Sequence, residues 1–548
     1  MADAYVRGIG NPEPATRPFD VDLLNAIRRH EVERPNRFAF ISADNPIDRI
    51  TFGQLRCYGD SLAAFLQSNG FAKGDVACVL SSNCWESTVA FMSVARLGGI
   101  LSGISVAFTE FEVKRQLLDS EPKVVFCNGQ KLPLIQKLRF EISSIQLVVV
   151  VNSTSSKLAA DVFSLHVIFR TNHSKIHVSL PQIDIEKDVV ALPYSSGTSS
   201  GLPKGVQLTH KNLSSFVNAY TWHAHTFLYP HLASDFDPRF EYKLHFLPQN
   251  HVFGFMMPLI GLMHGFTNVI MSRYQPQLLL QCIQEYKIQQ LHLVPPIVLF
   301  LAKSPMIERY NLSSLKTIYC GSAPLGLQLT IEVRDRLKLK SVTQGYGMTE
   351  LVLGVFRPTY SDPLQSAGKL IGDMEAKIVD IENGRILKRN EIGEILVRGS
   401  MVMTGYWKNP KATVETFTGN WMHTGDLGFL NEDGCLFLVD RLKELIKVNG
   451  LQVAPAELED VLLSHPQIAD AAVIGIPNLK TGELPYAFVV KKDEQLTTKE
   501  LNLWVNDRVA MYKQLKGGIE FVTQIPKSIS GKILRRQLRD LWKSRAKI

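Results

Sequence analysis

Residues 194–206 read Tyr-Ser-Ser-Gly-Thr-Ser-Ser-Gly-Leu-Pro-Lys-Gly-Val and follow the apolar run Val189–Leu192, which is typical of a buried strand. Glycines in such a loop let backbone N–H groups approach a ligand, the hydroxyls add donors, and Lys204 adds a positive charge. The combination predicts a loop that wraps a polyphosphate, although its glycine spacing does not fit a Walker A loop. The predicted phosphate-binding residues are Ser195, Ser196, Gly197, Thr198, Ser199, Ser200, Gly201 and Lys204.

The pattern around this loop predicts an α/β fold. Short apolar runs such as Asp75–Leu80 and Lys123–Cys127 alternate with helical stretches such as Leu55–Asn69. Parallel strands that are buried on both faces produce this alternation, so we expect layered α/β subdomains. From about Gly368 to Leu438, short strands separated by Gly, Asn and Asp predict a small antiparallel β unit.

A domain boundary is predicted at residues 440–443. The segment beyond it mixes helical and strand patterns and has the size of a small α+β domain of its own. We therefore expect a large N-terminal domain over residues 1–439 and a small C-terminal domain over residues 444–548.

The bulk composition is that of a globular protein, with 45% apolar and 20% charged residues. The formal charge of +8 is spread along the chain, which does not favour nucleic acid as a ligand. The seven cysteines form no C-x-x-C pair, which argues against a disulfide framework and against a zinc site. The sequence predicts neither a secretory signal nor a membrane span.

The loop at 194–206 resembles the signature Y-[ST]-S-G-[ST]-T-G-x-P-K-G-V of the adenylate-forming superfamily. That superfamily includes acyl-CoA synthetases, 4-coumarate-CoA ligases, firefly luciferases and the adenylation domains of peptide synthetases. The resemblance continues in order from about residue 50 to about residue 540, but within Thr198–Ser200 this chain has one residue more than the family loop. It implies an enzyme that uses ATP and Mg²⁺ to convert a carboxylic acid to its acyl-adenylate and then transfers the acyl group to coenzyme A.

Residues 344–350, Gln-Gly-Tyr-Gly-Met-Thr-Glu, are nearly identical to the family's Q-G-Y-G-[ML]-T-E. By resemblance, Tyr346 stacks on the adenine, Thr349 contacts the α-phosphate and Glu350 holds Mg²⁺. These roles suit a ring face, a hydroxyl and a carboxylate. Residues 320–325, Cys-Gly-Ser-Ala-Pro-Leu, resemble the G-[GA]-A-P-L loop that lines the adenine. The two motifs add further predicted nucleotide-binding residues, namely Gly321, Ser322, Ala323, Gln344, Gly345 and Gly347.

Three more matches extend the predicted adenylate site. His251 occupies the histidine of the family's P-x-x-H-x-x-G segment, and the resemblance implies that it orients the carboxylate for attack on the α-phosphate. Asp426 ends the motif Trp-Met-His-Thr-Gly-Asp, whose aspartate accepts hydrogen bonds from the ribose in the family. Arg441, in Asp-Arg-Leu-Lys, is implied to reach the ribose as well.

The resemblance also implies that residues 440–443 form a hinge and that the C-terminal domain is mobile, alternating between two poses. One pose brings Lys532, which ends the motif Pro-Lys-Ser-Ile-Ser-Gly-Lys, to the carboxylate and the α-phosphate. The other pose presents Lys447, with Gly450 and Gln452, for the thiol half-reaction.

The predicted acid pocket is apolar apart from His251 and offers no counter-charge for the amine of an amino acid. We therefore expect a fatty or aryl acid, and the bulky residues after Glu350 favour a fatty or medium-chain acid. The predicted pocket residues are Phe253, Met256, Met257, Met348, Leu353 and Gly354, beside Gly321 and Gly345.

Three alternatives to a coenzyme A ligase stay open. A luciferase-like monooxygenase shares the adenylate step, a carrier-loading adenylating enzyme uses a carrier thiol, and a non-catalytic protein would only bind the nucleotide. The terminal Ala546, Lys547 and Ile548 are similar to the S-K-L address that a peroxisomal import receptor reads, and a basic helix end is the other interpretation. The expected location is the peroxisome or the cytoplasm.

Overall fold

The computed structural model describes residues 5–152, 161–170, 178–195, 203–442, 444–448, 451–478, 480–492, 495–528 and 531–546. Its sheets confirm the predicted class, an α/β protein with a large N-terminal domain, an antiparallel β unit and a small C-terminal domain. No helix within these ranges combines the length and the apolar character that a membrane span requires.

The largest sheet is built around parallel strands that are buried on both faces. In the strand Val76–Leu80, Ala77 and Val79 join one apolar core, whereas Val76, Cys78 and Leu80 join another. A continuous apolar run is what such a strand requires, because neither of its faces meets water. In spatial order the strands are Tyr194–Ser195, Lys204–Thr209, Val189–Ala191, Ile100–Gly103, Val76–Leu80, Val124–Cys127, Leu147–Val150 and Val162–Ser164, and Gly405–Tyr406 pairs with Lys204–Thr209.

A smaller parallel sheet carries two loops of the predicted site. The strands Gln290–Leu293, Thr317–Cys320 and Ser341–Gln344 run parallel, so their carboxyl ends lie at one edge. Gly321 and Gly345 follow two of these ends directly, which is the usual position of ligand-binding loops in α/β sheets. Two further sheets flank it, one of Tyr242–His245, Thr267–Ile270, Phe38–Ser42 and Arg49–Thr51, and one of Tyr346–Gly347, Gly354–Arg357 and Lys369–Leu370.

The predicted antiparallel unit is a sheet that leads directly into the hinge segment. Asp440 and Arg441 still pair with Leu427 and Asp426, so the last strand of this sheet includes the first two residues of the segment 440–443. Lys443 lies outside the described residues. The strands are Glu375–Val379, Gly393–Arg398, Phe417–Thr418, Trp421–Leu430 and Leu436–Arg441, and Val6–Arg7 from the start of the chain pairs along one edge.

The C-terminal domain forms a sheet of its own, covered by helices. Its two apolar cores use opposite faces of the long strand pair Ile468–Asn478 and Gly482–Lys491. Shorter strands complete this sheet, namely Ile446–Val448, Leu451–Val453 and Gly518–Phe521.

Helices in the described part of the chain cover the sheets of both domains. They are Phe19–Glu33, Phe52–Ser68, Trp85–Arg96, Glu110–Ser120, Leu132–Arg139, Leu165–Arg170, His210–His223, Tyr229–Leu232, Val252–His264, Pro276–Glu285, Pro295–Lys303, Leu327–Leu337, Pro410–Thr416, Pro455–Leu463, Thr498–Asn506 and Arg535–Ala546.

The two domains are in contact at Gly531 and Gly326, where there is no room for a larger side chain. A methyl group added at Gly531 would come within 2.6 Å of Cδ of Pro296, and one added at Gly326 would overlap the carboxylate of Asp460. Both contacts join the C-terminal domain to segments that follow the strands Gln290–Leu293 and Thr317–Cys320 of the parallel sheet that carries the predicted site. The contacts therefore hold the tail of the chain, including Lys532, over the carboxyl edge of that sheet.

Arg535 links the base of the C-terminal domain through buried ion pairs. Its guanidinium lies 2.7 Å from the carboxylate of Glu459 and 2.5 Å from that of Glu444, and its Nε donates to the carbonyl of Val473. The Arg535 side chain is only 11% exposed. Removing one partner of such a pair leaves the other charge buried without compensation.

We predict that Arg535→Met destabilises the C-terminal domain by about 3–5 kcal/mol, because two largely buried carboxylates lose their cation. Hydrogen exchange of the strands Ile468–Asn478 and Gly482–Lys491, measured by mass spectrometry, should become faster. Arg536→Met is the matched control, since Arg536 is exposed. Exchange in Arg535→Met as slow as in the wild type would contradict the assignment.

Candidate active site

Asp426 is a buried carboxylate that joins three segments of the chain. It is 8% exposed, and its Oδ2 accepts a hydrogen bond of 2.8 Å from the hydroxyl of Tyr346. Its Oδ1 lies 3.2 Å from Nε of Arg441 on the neighbouring strand. Burial raises the pKa of Asp426, while Arg441, Tyr346 and Lys532 act in the opposite direction. Tyr346 and Arg441, which were predicted separately to contact the nucleoside, thus both contact the carboxylate of Asp426, the third predicted nucleoside residue.

The charge of Lys532 acts on Asp426, although the lysine belongs to the C-terminal domain. Burial lowers the pKa of Lys532 to about 8, and the positive charge of Arg441 adds to this effect, while Glu444 and Asp426 oppose it. The backbone around the lysine is a tight turn, in which Gly531 N donates to the carbonyl of Ser528 and Ser528 N donates to that of Lys532. The turn fixes the direction in which the long side chain leaves the domain.

His251 lies at the start of the helix Val252–His264. Its Nδ1 faces the backbone N–H of Phe253 at 3.5 Å, as an N-cap side chain does. Burial lowers the pKa of His251, and the charge of Lys532 lowers it further, so the ring is neutral at physiological pH. The charge of Lys532 thus acts on both His251, at the predicted carboxylate end of the site, and Asp426, at the predicted ribose end.

Glu350 is held by a residue that the sequence analysis did not single out. The hydroxyl of Tyr406 donates a hydrogen bond of 2.9 Å to Oε1 of Glu350, and both side chains are buried. The ammonium of Lys204 lies 4.1 Å from the centre of the Tyr406 ring. Tyr406 therefore connects the predicted metal-binding glutamate with the exit of the predicted phosphate loop. The only sequence signal at this position is an aromatic residue after Gly405.

The phosphate loop itself is described only at its two ends. Tyr194–Ser195 and Lys204–Thr209 form an antiparallel hairpin in which Ser195 pairs with Lys204. The predicted residues Ser196, Gly197, Thr198, Ser199, Ser200 and Gly201 lie outside the described residues. The loop is thus the connection of a hairpin whose second strand also pairs with Gly405–Tyr406.

Gln344 positions the loop that follows the neighbouring strand. Its side-chain oxygen accepts a hydrogen bond of 3.0 Å from Leu325 N, and its amide nitrogen donates to the carbonyl of Gln365. Ser322 in the same loop has φ of 72°, a left-handed conformation. Gln344 thus shapes the predicted adenine loop through Leu325, while the backbone of Gly321, Ser322 and Ala323 remains the predicted adenine surface.

The predicted acid pocket lies between the helix Val252–His264 and the glycines of the parallel sheet. Phe253, Met256 and Met257 are buried on that helix, and Met348 and Leu353 are partly buried beside Gly354. A methyl group at Gly321 would come within 3.1 Å of Cε1 of Phe253. Small residues are therefore required where the sheet loops face the helix.

The residues predicted for the thiol half-reaction lie apart from this cluster. Lys447 is exposed on the strand Ile446–Val448 and pairs with Gln452 on the next strand. Gly450 and the side chain of Gln452 lie outside the described residues. The two predicted lysines thus have different surroundings in this pose, because Lys532 is largely buried at the site and Lys447 faces solvent.

Comparison with known proteins identifies the chain's family. The family model described as "AMP-binding enzyme" matches residues 27–407, and the model of the AMP-binding enzyme C-terminal domain matches residues 457–532. The chain belongs to the AMP-binding enzyme family. The predicted resemblance to adenylate-forming enzymes and the predicted class, an AMP-forming acid–thiol ligase, are confirmed.

Individual relatives cover almost the whole chain of this AMP-binding enzyme. It is 34% identical over 528 residues to "Acyl-CoA synthetase 7" of Caenorhabditis elegans, with 95% of this chain and 96% of the relative covered. It is 38% identical over 499 residues to "4-coumarate--CoA ligase 2" of Nicotiana tabacum, with 89% of each covered. Its fold matches a crystal structure of an anthranilate CoA ligase in complex with anthranoyl-AMP, with a TM-score of 0.85, 24% identity, and 98% and 99% of the two chains covered.

We predict that Tyr406→Phe raises the Mg²⁺ concentration required for half-maximal pyrophosphate release by this AMP-binding enzyme about 10-fold. The variant keeps the ring beside Lys204 but loses the hydroxyl that orients Glu350, the predicted metal ligand. Pyrophosphate release during Mg²⁺ titration measures the effect. Tyr512→Phe, far along the chain in the C-terminal domain, is the control. An unchanged Mg²⁺ requirement in Tyr406→Phe would contradict the role of Tyr406 in orienting Glu350.

We further predict a fall in kcat/KM for ATP as the pH rises through about 8. Lys532 has its pKa lowered to about 8, so it loses its positive charge in that range and with it its attraction for the phosphates. In the pH profile of kcat, the same fall should appear at higher pH, because bound anions raise the pKa of Lys532. This fall in activity with rising pH should be missing in Lys532→Ala. An identical fall in that variant would show that another group titrates.

Proposed function

We propose that this protein binds Mg-ATP and a carboxylic acid, forms the acyl-adenylate with release of pyrophosphate, and then transfers the acyl group to coenzyme A. The observation that carries the proposal is the meeting of Lys532 with Asp426 and Arg441, described above. The charge of Lys532 acts on both Asp426 and His251, and the contact of the neighbouring Gly531 with Pro296 holds this part of the C-terminal domain against the parallel sheet. Such a site can hold two anions, a carboxylate and a triphosphate, in contact.

The chemistry of the first step follows from the charges in this site. The acid's carboxylate oxygen attacks the α-phosphorus of ATP, the bond to the β-phosphate oxygen breaks, and pyrophosphate leaves. Lys532 offsets the repulsion between the two anions, and His251, being neutral, can donate a hydrogen bond without competing for the charge. Asp426 and Arg441 hold the ribose, so the α-phosphate is placed next to both groups.

Magnesium is the metal that we propose for Glu350. Among the described residues there is no group of three or more His, Cys, Asp or Glu that could enclose an ion. Mg²⁺ does not need such a group, since it is often bound by one or two carboxylates together with substrate phosphates and water. Glu350, buried and oriented by Tyr406, fits this mode. The ion would neutralise the charge that develops on pyrophosphate.

The second half-reaction requires another pose of the C-terminal domain. We propose that the domain turns about the segment after Arg441, removes Lys532 from the site and brings Lys447 to it. The exposed position of Lys447 supports this proposal, because an exposed side chain can be presented to a second partner without breaking a core. The thiolate of coenzyme A then attacks the acyl carbon, and AMP leaves.

The finer points of substrate and location are also proposals. A fatty or aryl acid fits the apolar side chains on the helix Val252–His264, which points to a role in fatty acid metabolism or in aryl acid activation. The terminal tripeptide, which begins with the last helical residue Ala546, resembles a peroxisomal address, and we propose a location in the peroxisome or the cytoplasm.

We predict that Lys532→Ala lowers acid-dependent ATP–pyrophosphate exchange at least about 100-fold, because the charge that bridges the two anions is lost. Thioester formation from supplied acyl-adenylate and coenzyme A should stay near the wild-type rate. Lys516→Ala, at an exposed lysine of the same domain, is the control. Normal exchange in Lys532→Ala would overturn the proposed role.

Pyrophosphate release with and without coenzyme A, across a panel of acids, tests the overall reaction. We expect release to depend on the acid, and a thioester to form only with coenzyme A. Light emission, or loading of a carrier protein in place of free coenzyme A, would favour the alternative enzymes. Nucleotide binding without release for any acid would favour the non-catalytic alternative.

A further inference from the structure

Two buried cations lie in the N-terminal domain. Lys243 and Arg357 are each 3% exposed. Cζ of Arg357 lies 4.4 Å from the ring centre of Tyr220 and 4.7 Å from that of Tyr319. Nζ of Lys243 lies 5.7 Å from the centre of Tyr220 and 5.1 Å from that of Phe266. Both cations therefore contact one aromatic ring, that of Tyr220, in a region that is closed to bulk water.

The two cations have no anionic partner in the part of the chain that the structure describes. Neither head group forms an ion pair or a hydrogen bond there. Burial, together with the charge of Arg357, lowers the pKa of Lys243 to about 7, and no described carboxylate opposes this shift. Isolated buried cations are strongly unfavourable, and cation–π contacts offset only a part of that cost.

Other polar atoms near the cations also lack partners among the described residues. They are the hydroxyl of Tyr220, Nε of Arg357 and Nε2 of His292. Nearly all buried polar atoms in native proteins are hydrogen-bonded. Several unpaired polar atoms and two uncompensated cations in one place therefore indicate a site for an anion that is not part of the protein.

This cationic cluster borders the predicted acid pocket. A methyl group at Gly345 would overlap the hydroxyl of Tyr319, and one at Gly354 would lie 3.2 Å from that hydroxyl and 3.9 Å from Nη1 of Arg357. The ring of His292 lies 6.2 Å from that of Phe253 and 5.6 Å from that of Tyr319. The cluster thus lies behind the pocket glycines and behind Phe253.

The charged groups that act on the two histidines of this cluster are all positive. The pKa of His292 is lowered well below its usual value by burial and by Lys243, Arg357 and His245. The pKa of His245 is lowered to about 3 by burial and by Lys243, and its ring contacts Asn268. Both rings are therefore neutral, and a single bound carboxylate would compensate one of the two positive charges while accepting hydrogen bonds from both head groups.

We propose that the acid activated by this protein carries a second carboxylate at the end remote from the adenylated one, and that Lys243 and Arg357 bind this second carboxylate. The proposal rests on the proposed function, because it assumes that the pocket beside His251 holds the acid. It goes beyond the expectation of a fatty or aryl acid, because the cationic cluster borders the predicted pocket at Gly354. A monocarboxylic acid would leave both cations unpaired, so the site discriminates against it.

Matched pairs of acids test this substrate class. Pyrophosphate release should be measured for unbranched dicarboxylic acids of three to ten carbons and for the monocarboxylic acid of equal length. We expect the best diacid to exceed its monoacid in kcat/KM at least about 100-fold, because a site with buried polar groups strongly rejects an analogue that lacks the partner group. Benzene-1,4-dicarboxylate and benzoate extend the comparison to aryl acids.

Two variants separate a substrate-binding role from a structural one. Lys243→Met and Arg357→Met should each lower the kcat/KM of the diacid at least 10-fold, while the monoacid keeps or gains activity. Both variants should also have a higher Tm than the wild type, because an uncompensated buried charge is removed. Lys411→Met, at an exposed lysine, is the control and should leave the selectivity and Tm unchanged.

Binding to the wild-type protein keeps the test independent of how the variants fold. The preferred diacid should raise the Tm of the wild type in the presence of AMP more than its monoacid does. If the wild type releases pyrophosphate equally well or better with monoacids, the proposal of a second carboxylate on the substrate is overturned. The proposed function would still stand. Absence of release with every acid would contradict the proposed function itself.

Discussion

A buried carboxylate that must be paired is the constraint on which the rest of this structure depends. Asp426 is almost excluded from water, so it is stable as an anion only while the Tyr346 hydroxyl donates to it and Arg441 lies beside it. Tyr346 follows the parallel sheet, Asp426 belongs to the antiparallel sheet, and Arg441 is the last strand residue before the C-terminal domain. The hydrogen bond from Tyr346 therefore joins the two sheets, and the ion pair with Arg441 fixes the direction in which the chain enters the domain that carries Lys532.

The charges of the site are arranged for anionic ligands and not for stability. Lys532 has its pKa lowered to about 8 and Lys243 to about 7, which shows that burial disfavours both cations in the unliganded protein. Functional sites commonly retain such unfavourable groups, and the remainder of the fold offsets the cost. A nucleotide at one end of the pocket and a second carboxylate at the other would supply the missing negative charge. Substrate binding and stabilisation of the fold are in this way coupled.

The sequence predicted those features that depend on local pattern. The strand Val76–Leu80 was expected within one residue, because a strand buried on both faces must be apolar throughout. The motifs around Tyr346, Asp426 and Lys532 lead to residues that the structure brings together. Tyr406, Lys243 and Arg357 were missed, because their roles arise from contacts between segments far apart in sequence, and a lone Tyr, Lys or Arg carries no motif. The edge strand Val6–Arg7 was missed because two residues cannot show a period.

The central claim is that the pose seen here is the adenylating pose and that the C-terminal domain must leave it before the thiol can react. Gly326 and Asp460 face each other across the domain contact, so cysteines at these positions can be joined by a short reversible cross-linker. In a Cys57→Ser background, which removes an exposed native thiol, Gly326→Cys with Asp460→Cys should keep acid-dependent ATP–pyrophosphate exchange after cross-linking and lose thioester formation until the link is reduced. Thioester formation at the wild-type rate in the linked protein, or loss of exchange on linking, would contradict the account.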